Sequence, residues 1–267
     1  MLARMTTWQP PSAPQLGTMR WPELADPRPF LLLPLGSTEQ HGPHLPLDTD
    51  TRIAVAVATA VAARLADVLV APPFAYGASG EHAGFPGTLS LGTAALELAL
   101  IELVRSADET AAGIVLVNGH GGNATAVRGA ARLLTRGGRR VLVWAPRAAV
   151  AERVGIPAAG DLHAGRLETS LLLHLAPELV HLGAAVRGPS PALADLVRHG
   201  VLPLSANGVL GDPAGASTAE GAVLFDALVT DAAAAIAAWA HGPRDVDTPA
   251  GLALRARSTP LPAAPSP

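Results

Sequence analysis

The chain has 267 residues, of which 49% are hydrophobic and 15% charged, with a formal net charge of -3. That is long enough to bury a sizeable core and lacks the basic footprint that nucleic-acid binding demands. All 19 of its Lys+Arg residues are arginines and it has no cysteine, which excludes a lysine phosphate loop, a Schiff base, a thiol nucleophile and a thiolate zinc site.

Residues 1–28 hold Pro10, Pro11 and Pro14 and no continuous apolar segment, so they read as an irregular arm rather than a signal peptide. The apolar run Phe30–Leu35 predicts a buried strand. It leads directly into Gly36-Ser37-Thr38-Glu39-Gln40-His41-Gly42-Pro43-His44-Leu45-Pro46-Leu47-Asp48-Thr49-Asp50, which packs three acids and two histidines into a charge-poor chain. A helix is expected over 49–65, capped by Thr49 or Asp50, with the macrodipole favouring the Asp50 carboxylate. Val68 to Pro72 reads as a short strand, and the glycine-rich segment 74–88, containing Glu81 and His82, as a loop lining a site.

A helix from Thr93 to about Ala111 precedes the strand Ile114 to Val117. That strand ends in Asn118-Gly119-His120-Gly121-Gly122-Asn123 and passes into a helix over 124–134. Strand, glycine loop and helix form the unit whose loop lies at the carboxyl edge of a parallel sheet, where ligands bind. Another strand is expected over 140–144. In Asp161-Leu162-His163-Ala164-Gly165-Arg166-Leu167-Glu168-Thr169-Ser170, Glu168 should enter the first turn of the helix over 171–175. Residues 177–213 are loop-rich. Ser217 to Glu220 reads as a capping box opening a helix to about Ala240, and 243–267 as a disordered tail. The domain is expected over 29–242. No apolar run of about 18 residues escapes charge or proline, so no membrane span is expected, and a cytoplasmic location follows. The high apolar content points to a homo-oligomer.

Alternating strands and helices let Glu39, His41, Asp50, His120 and Glu168 converge at one sheet edge, each a good ligand for zinc, iron or manganese. Asp50 has two oxygens that can face two metals, and such a pair activates water for amide hydrolysis. His44 and Asp48 stand as alternatives to His41 and Asp50, or as residues that hold the loop and cap the helix. Glu81 and His82 either shape the pocket or form a solvated corner. Ser79 lies outside a Gly-x-Ser-x-Gly elbow, which counts against a serine hydrolase.

Taken together, Gly36 to Asp50, Gly80 to Gly84, Asn118 to Asn123 and His163 to Ser170 resemble the creatininase family of metal-dependent amidohydrolases over residues 29 to 240. The resemblance implies an α/β fold, a three-layer α/β/α sandwich with a mostly parallel central sheet. It also implies a homo-oligomer and two divalent ions per chain, Zn2+ or Fe2+ with Mn2+ possible, on the positions of Glu39, His41, Asp50 and His120. The family's carboxylate two residues after the loop histidine is replaced by Gly122, and its aromatic neighbour by Gly121. The fifth ligand is therefore expected from Glu168, and the pocket is expected to be roomier at Gly121. His163 is expected to stabilise the oxyanion or carry the proton, and Arg166 to meet a substrate carboxylate beside Glu81 and His82. The wording of the first motif, of Tyr76 to Gly84 and of Asn207 to Pro213 resembles members that cleave a small ribosomal precursor peptide after a radical enzyme has modified its C-terminal Val-Tyr pair. The rival readings are a hydrolase of a small cyclic amide or formamide, and a metal-stabilised binding or assembly protein without turnover.

Overall fold

The computed structural model describes residues 8–24 and 26–242; the expected C-terminal tail lies outside them. Four parallel strands form one sheet in the order β2-β1-β3-β4: β1 (Phe30–Leu35), β2 (Val68–Val70), β3 (Gly113–Asn118) and β4 (Val141–Trp144). The runs 31–35, 68–70 and 114–117 are apolar and buried on both faces, whereas the edge strand β4 is only partly covered. Along β1, Leu31, Leu33 and Leu35 enter one core cluster and Leu32 the other; along β3, Ile114 and Leu116 part from Val115 and Val117 in the same way. This period of two sorts each strand between two helical layers. Pro34 is tolerated in the central strand because β2 ends at Val70, and pairing on that side resumes only where Phe74 donates to the Pro34 carbonyl at 2.9 Å.

One layer holds α2 (Thr93–Ser106) and α3 (Ala124–Arg136), with Leu96, Leu100 and Leu134 turned onto the sheet. The other holds α1 (Thr49–Ala62), α4 (Ala148–Arg153), α5 (Arg166–Leu175) and α7 (Thr218–His241). The short α6 (Leu193–His199) buries none of its residues. The three-layer α/β/α architecture is thus present.

The arm is less irregular than its prolines imply. Two 3-10 turns form at Leu16–Thr18 and Trp21–Leu24, Val70 donates to the Pro14 carbonyl at 3.0 Å, and Trp8 packs edge-on against Phe225. The helix expected to reach Ala111 ends at Ser106, where turns lead to Asp108, gripped by Arg139. The helices α4 and α6 were not expected from the sequence. The N-cap of α1 is Asp48 rather than Thr49 or Asp50, and its carboxylate accepts from Arg52 Nε at 2.7 Å instead of closing the cap.

The capping box of α7 is half made. Glu220 N donates to Ser217 Oγ at 3.2 Å, but the Glu220 carboxylate turns away to Arg166 and Ser170. With 24 residues, α7 is by length and composition long and apolar enough to cross a membrane. Here Leu224, Leu228, Val229, Ala232 and Ile236 are buried in the core instead.

Candidate metal centre

Glu39 and His41 lie in the loop leaving β1, Asp50 in the first turn of α1, His120 just after β3 and Glu168 in the first turn of α5. Parallel strands put all of these starting points at one edge of the sheet. The approach is close: a Cβ at Gly119 would lie 2.5 Å from the Asp50 carbonyl oxygen, so only glycine lets β3 end against α1.

Two clusters of three donors share Asp50. Glu39, Asp50 and His120 form one, His41, Asp50 and Glu168 the other, and Glu39, His41 and His163 form a third group beside them. Asp50 Oδ1 lies 3.1 Å from His41 Nε2, and Asp50 Oδ2 lies 3.1 Å from His120 Nδ1. His120 Nε2 is 3.2 Å from Glu39 Oε2 and 3.3 Å from Glu81 Oε1. These atoms are within ion-pair reach, yet Glu39 Oε1 and Oε2, Asp50 Oδ2 and His120 Nε2 are buried with no hydrogen-bond partner. Donors that aim at a common point rather than at one another, all hard oxygens and imidazole nitrogens, fit divalent cations.

The electrostatics agree. Burial, with Asp50 adding to it, raises Glu39 to about 7. Burial also raises Glu168 to about 7 against the pull of His41. Burial resists charge on His41, but Asp50, Glu168 and Glu39 together lift it to about 10. His120 is held well above its ordinary value in the same way by Glu39, Asp50 and Glu81. Asp50, despite its burial, is held well below the usual carboxylate range by His41 and His120. Protons on the two histidines thus supply positive charge that the carboxylates demand.

Around these donors the hydrogen-bond network fixes where protons sit. Gln40 Oε1 accepts from Gly42 N at 2.9 Å, so its nitrogen faces the other way and donates to the Gly208 carbonyl at 3.0 Å and to His82 Nδ1 at 2.9 Å. His82 therefore carries its proton on Nε2, 3.1 Å from Glu39 Oε1. His163 Nε2 lies 2.7 Å from the Gln40 carbonyl and must donate to it, so the Nδ1 lone pair faces Glu39, 3.8 Å away. Burial holds His163 well below its ordinary value and lowers His82 to about 4, so both are neutral at pH 7. Backbone bonds between His163 and Leu210 pin the His163 segment.

Of the expected site residues, Glu81, His82 and Gly121 line a cavity of about 740 Å³ together with Asp50, His120, His163 and Glu168. Arg166 is absent from that lining. Its guanidinium meets Glu220 on α7 at 2.9 Å, so the expected contact with a substrate carboxylate has no support in its placement. His44 is buried on Thr169 Oγ1 at 2.9 Å, bracing the loop against α5, and Asp48 is half-exposed on Arg52. Gly122 is explained by its neighbours: a Cβ there would lie 2.1 Å from Glu81 Oε1 and 2.4 Å from His120 Nε2.

Sequence reading overlooked Gln40, although it stands inside the first motif. It also overlooked the Asn118–Asn123 clamp, in which Asn123 holds Ala78 N and the Gly36 carbonyl. Arg128, Arg198 and the whole apolar side of α6 line the cavity unannounced by any motif, as does His199.

A family model described as "Creatinine amidohydrolase" matches residues 17–236. The chain belongs to the creatininase family. The mycofactocin precursor peptide peptidase of Mycobacterium ulcerans is 48% identical over 241 residues, covering 86% of this chain and 93% of that protein. Its counterpart in Mycolicibacterium smegmatis is 49% identical over 233 residues, covering 84% and 91%. A solved creatininase superposes with a TM-score of 0.71 at 29% identity, covering 86% of this chain and 99% of that one. Creatininase structures of Zn-Zn and Mn types superpose as well, with TM-scores of 0.71 and 0.70. This creatininase-family hydrolase therefore carries a candidate metal site where its own buried donors converge.

Proposed function

We propose that this chain is a metal-dependent peptidase that cleaves a small modified precursor peptide and releases its C-terminal Val-Tyr-derived dipeptide. The observation that carries the reading is the pair of donor clusters sharing Asp50, of which Asp50, His120 and Glu168 reach the wall of a cavity large enough for a peptide end. Near 48% identity to relatives named as precursor peptide peptidases, over most of both chains, favours a peptide over a small amide. Glu39 and His120 would hold one divalent ion and His41 and Glu168 a second, with Asp50 common to both donor clusters. Zinc, iron and manganese all accept this donor set, and the ions, when bound, lower the pKa of water and polarise the scissile carbonyl.

The remaining work falls to the chain itself. His82 turns its Nε2 toward Glu39 Oε1, 3.1 Å away, and backs that side of the carboxylate. His163, neutral and with Nδ1 facing inward, has no proton to offer an oxyanion from that atom. It takes the proton of the attacking water on Nδ1 and returns it to the leaving amine. Glu81 and Gly121 shape the wall beside His120. A cytoplasmic location suits a substrate made on the ribosome. A homo-oligomer is supported by exposed Leu98 (59%) and Val223 (50%).

The test is incubation of the metal-analysed protein with the radical-modified precursor peptide, followed by mass spectrometry. A released C-terminal dipeptide, lost on chelation and restored by metal, is expected. Intact peptide in the presence of about two bound ions per chain would reject the substrate and return the choice to small amides. His163→Ala should keep its metal and lose rate; unchanged kinetics would remove the proton-carrying role.

A further inference from the structure

Glu81 joins two parts of the cavity wall. Its carbonyl oxygen accepts from Val201 N at 2.7 Å, just beyond the C-terminal end of α6. Gly200 passes so close that a Cβ there would lie 2.9 Å from the same oxygen. The carboxylate turns the other way, toward the metal donors, and places Oε1 3.3 Å from His120 Nε2. Only the missing side chain of Gly122 leaves room for that approach.

The three carboxylates around His120 differ in what they leave open. The side chain of Glu81 is 23% exposed, against 0% for Glu39 and 3% for Asp50. Glu81 therefore keeps oxygen surface free for a ligand in the cavity. A carboxylate ionised at neutral pH accepts hydrogen bonds only, so that ligand must offer N–H groups, best of all charged ones.

The same cavity carries aliphatic surface. Leu196 and Val197 line it from α6 and Leu162 from the segment before His163. Val197 is 79% and Leu162 39% exposed. Leu162 N and His163 N both donate to the Leu210 carbonyl, at 2.9 and 3.1 Å, which holds Leu162 beside the proton carrier. Aliphatic side chains left open to a cavity take apolar groups.

Peptide hydrolysis makes one fragment that meets both demands. The residue on the leaving side of the scissile bond bears the new amine, and its side chain sits on the adjacent carbon. We propose that Glu81 receives the nitrogen on the leaving side of the scissile bond and holds it as the ammonium once the bond is cut, while Leu162, Leu196 and Val197 receive the side chain of that residue. The proton still comes from His163, and Glu81 neither gains nor loses one. Selection then falls on the first residue of the released fragment. This subsite rests on the peptidase reading for the origin of the amine, but its test does not require a bond to be cut.

The dipeptide amides Val-Tyr-NH2, N-acetyl-Val-Tyr-NH2 and Gly-Tyr-NH2 are titrated calorimetrically into the zinc-loaded full chain. The same titrations are made on the Glu81→Gln variant and on the double variant Leu162→Ser, Val197→Ser, with zinc content measured throughout. The natural chain should bind Val-Tyr-NH2 about tenfold tighter than the acetylated form and about fivefold tighter than Gly-Tyr-NH2. Glu81→Gln should keep its zinc, bring Val-Tyr-NH2 to the affinity of the acetylated form and leave the acetylated form unchanged. The double variant should lose the preference for Val over Gly and keep the preference for the free amine. Equal binding of free and acetylated amines by the natural chain, or no measurable binding of the free amine, would overturn the subsite. So would an amine preference that survives Glu81→Gln, which would give the nitrogen to the metal ions, a loss of zinc from that variant, or a Val preference that survives in the double variant. An amine preference that Glu81→Gln abolishes, in a chain that leaves the precursor uncut, would keep the subsite and reject the peptidase reading.

Discussion

Gln40 touches no metal donor side chain, yet both of its N–H bonds and its carbonyl oxygen are engaged. It fixes which nitrogen of His82 carries the proton and so which face of that ring lies 3.1 Å from Glu39 Oε1. Gln40→Leu should keep the fold and weaken metal affinity about tenfold to a hundredfold, read by competition with a coloured chelator; an unchanged affinity would dismiss the relay. Adjacent glycines give a sharper contrast. A methyl at Gly121 meets nothing within 4 Å, whereas one at Gly122 lands on Glu81 Oε1 and His120 Nε2. Gly121→Ala should therefore retain its metal and Gly122→Ala should lose part of it, with equal metal content in the two variants counting against the geometry. Glu168→Gln should lower the bound metal from about two ions to about one, and full occupancy would mean that another group completes the second cluster.

Elements differ in how plainly they could be read. The strands declared themselves because a buried parallel strand needs an apolar residue at every position, and Leu31 to Leu35 and Ile114 to Val117 obey that without help from distant chain. The helix α6 did not, because its apolar stripe faces a cavity rather than the core and its flanks are rich in proline and glycine. The candidate metal donors stand out because Glu, His and Asp cluster in short loops after strands. Arg166 was not, since its partner Glu220 stands 54 positions away and nothing local announces it. Ser217 illustrates the middle case: the cap was readable, the destination of Glu220 was not. Ser217→Ala should cost about 1 kcal/mol in chemical denaturation. A loss below a few tenths would mean that Ser170, which accepts from Ser217 N at 3.2 Å, holds the helix start by itself.

At the level of the whole molecule, the converging charges make stability depend on pH in opposite ways with and without metal. Above pH 7 the metal-free chain keeps His41, at about 10, and His120, well above its ordinary value, protonated beyond the point at which an unfolded histidine releases its proton. The folded state then binds more protons than the unfolded one. The stability these groups contribute is full below about 6.5 and is lost as pH rises toward 10. His82 and His163, both lowered, have finished titrating below that window. Metal needs those same donors deprotonated, so its affinity rises over the range in which the metal-free chain weakens. Thermal melts from pH 7 to 10 should show Tm falling without metal and the increment due to zinc growing. A metal-free Tm that rises with pH would contradict the charge arrangement.

Gln40 and His163 meet in space from 123 positions apart, and that separation sets an order of events in time. A ribosome adding about 5–20 residues each second exposes the first donor loop roughly ten seconds before the segment with His163 and Glu168 exists. During that interval the nascent chain already carries Glu39, Asp50 and His120, the whole of one cluster, but lacks Glu168, the last donor of the other. The two halves of the centre are therefore completed in a fixed order, and a product of stalled translation that ends before Glu168 carries donors for one cluster alone.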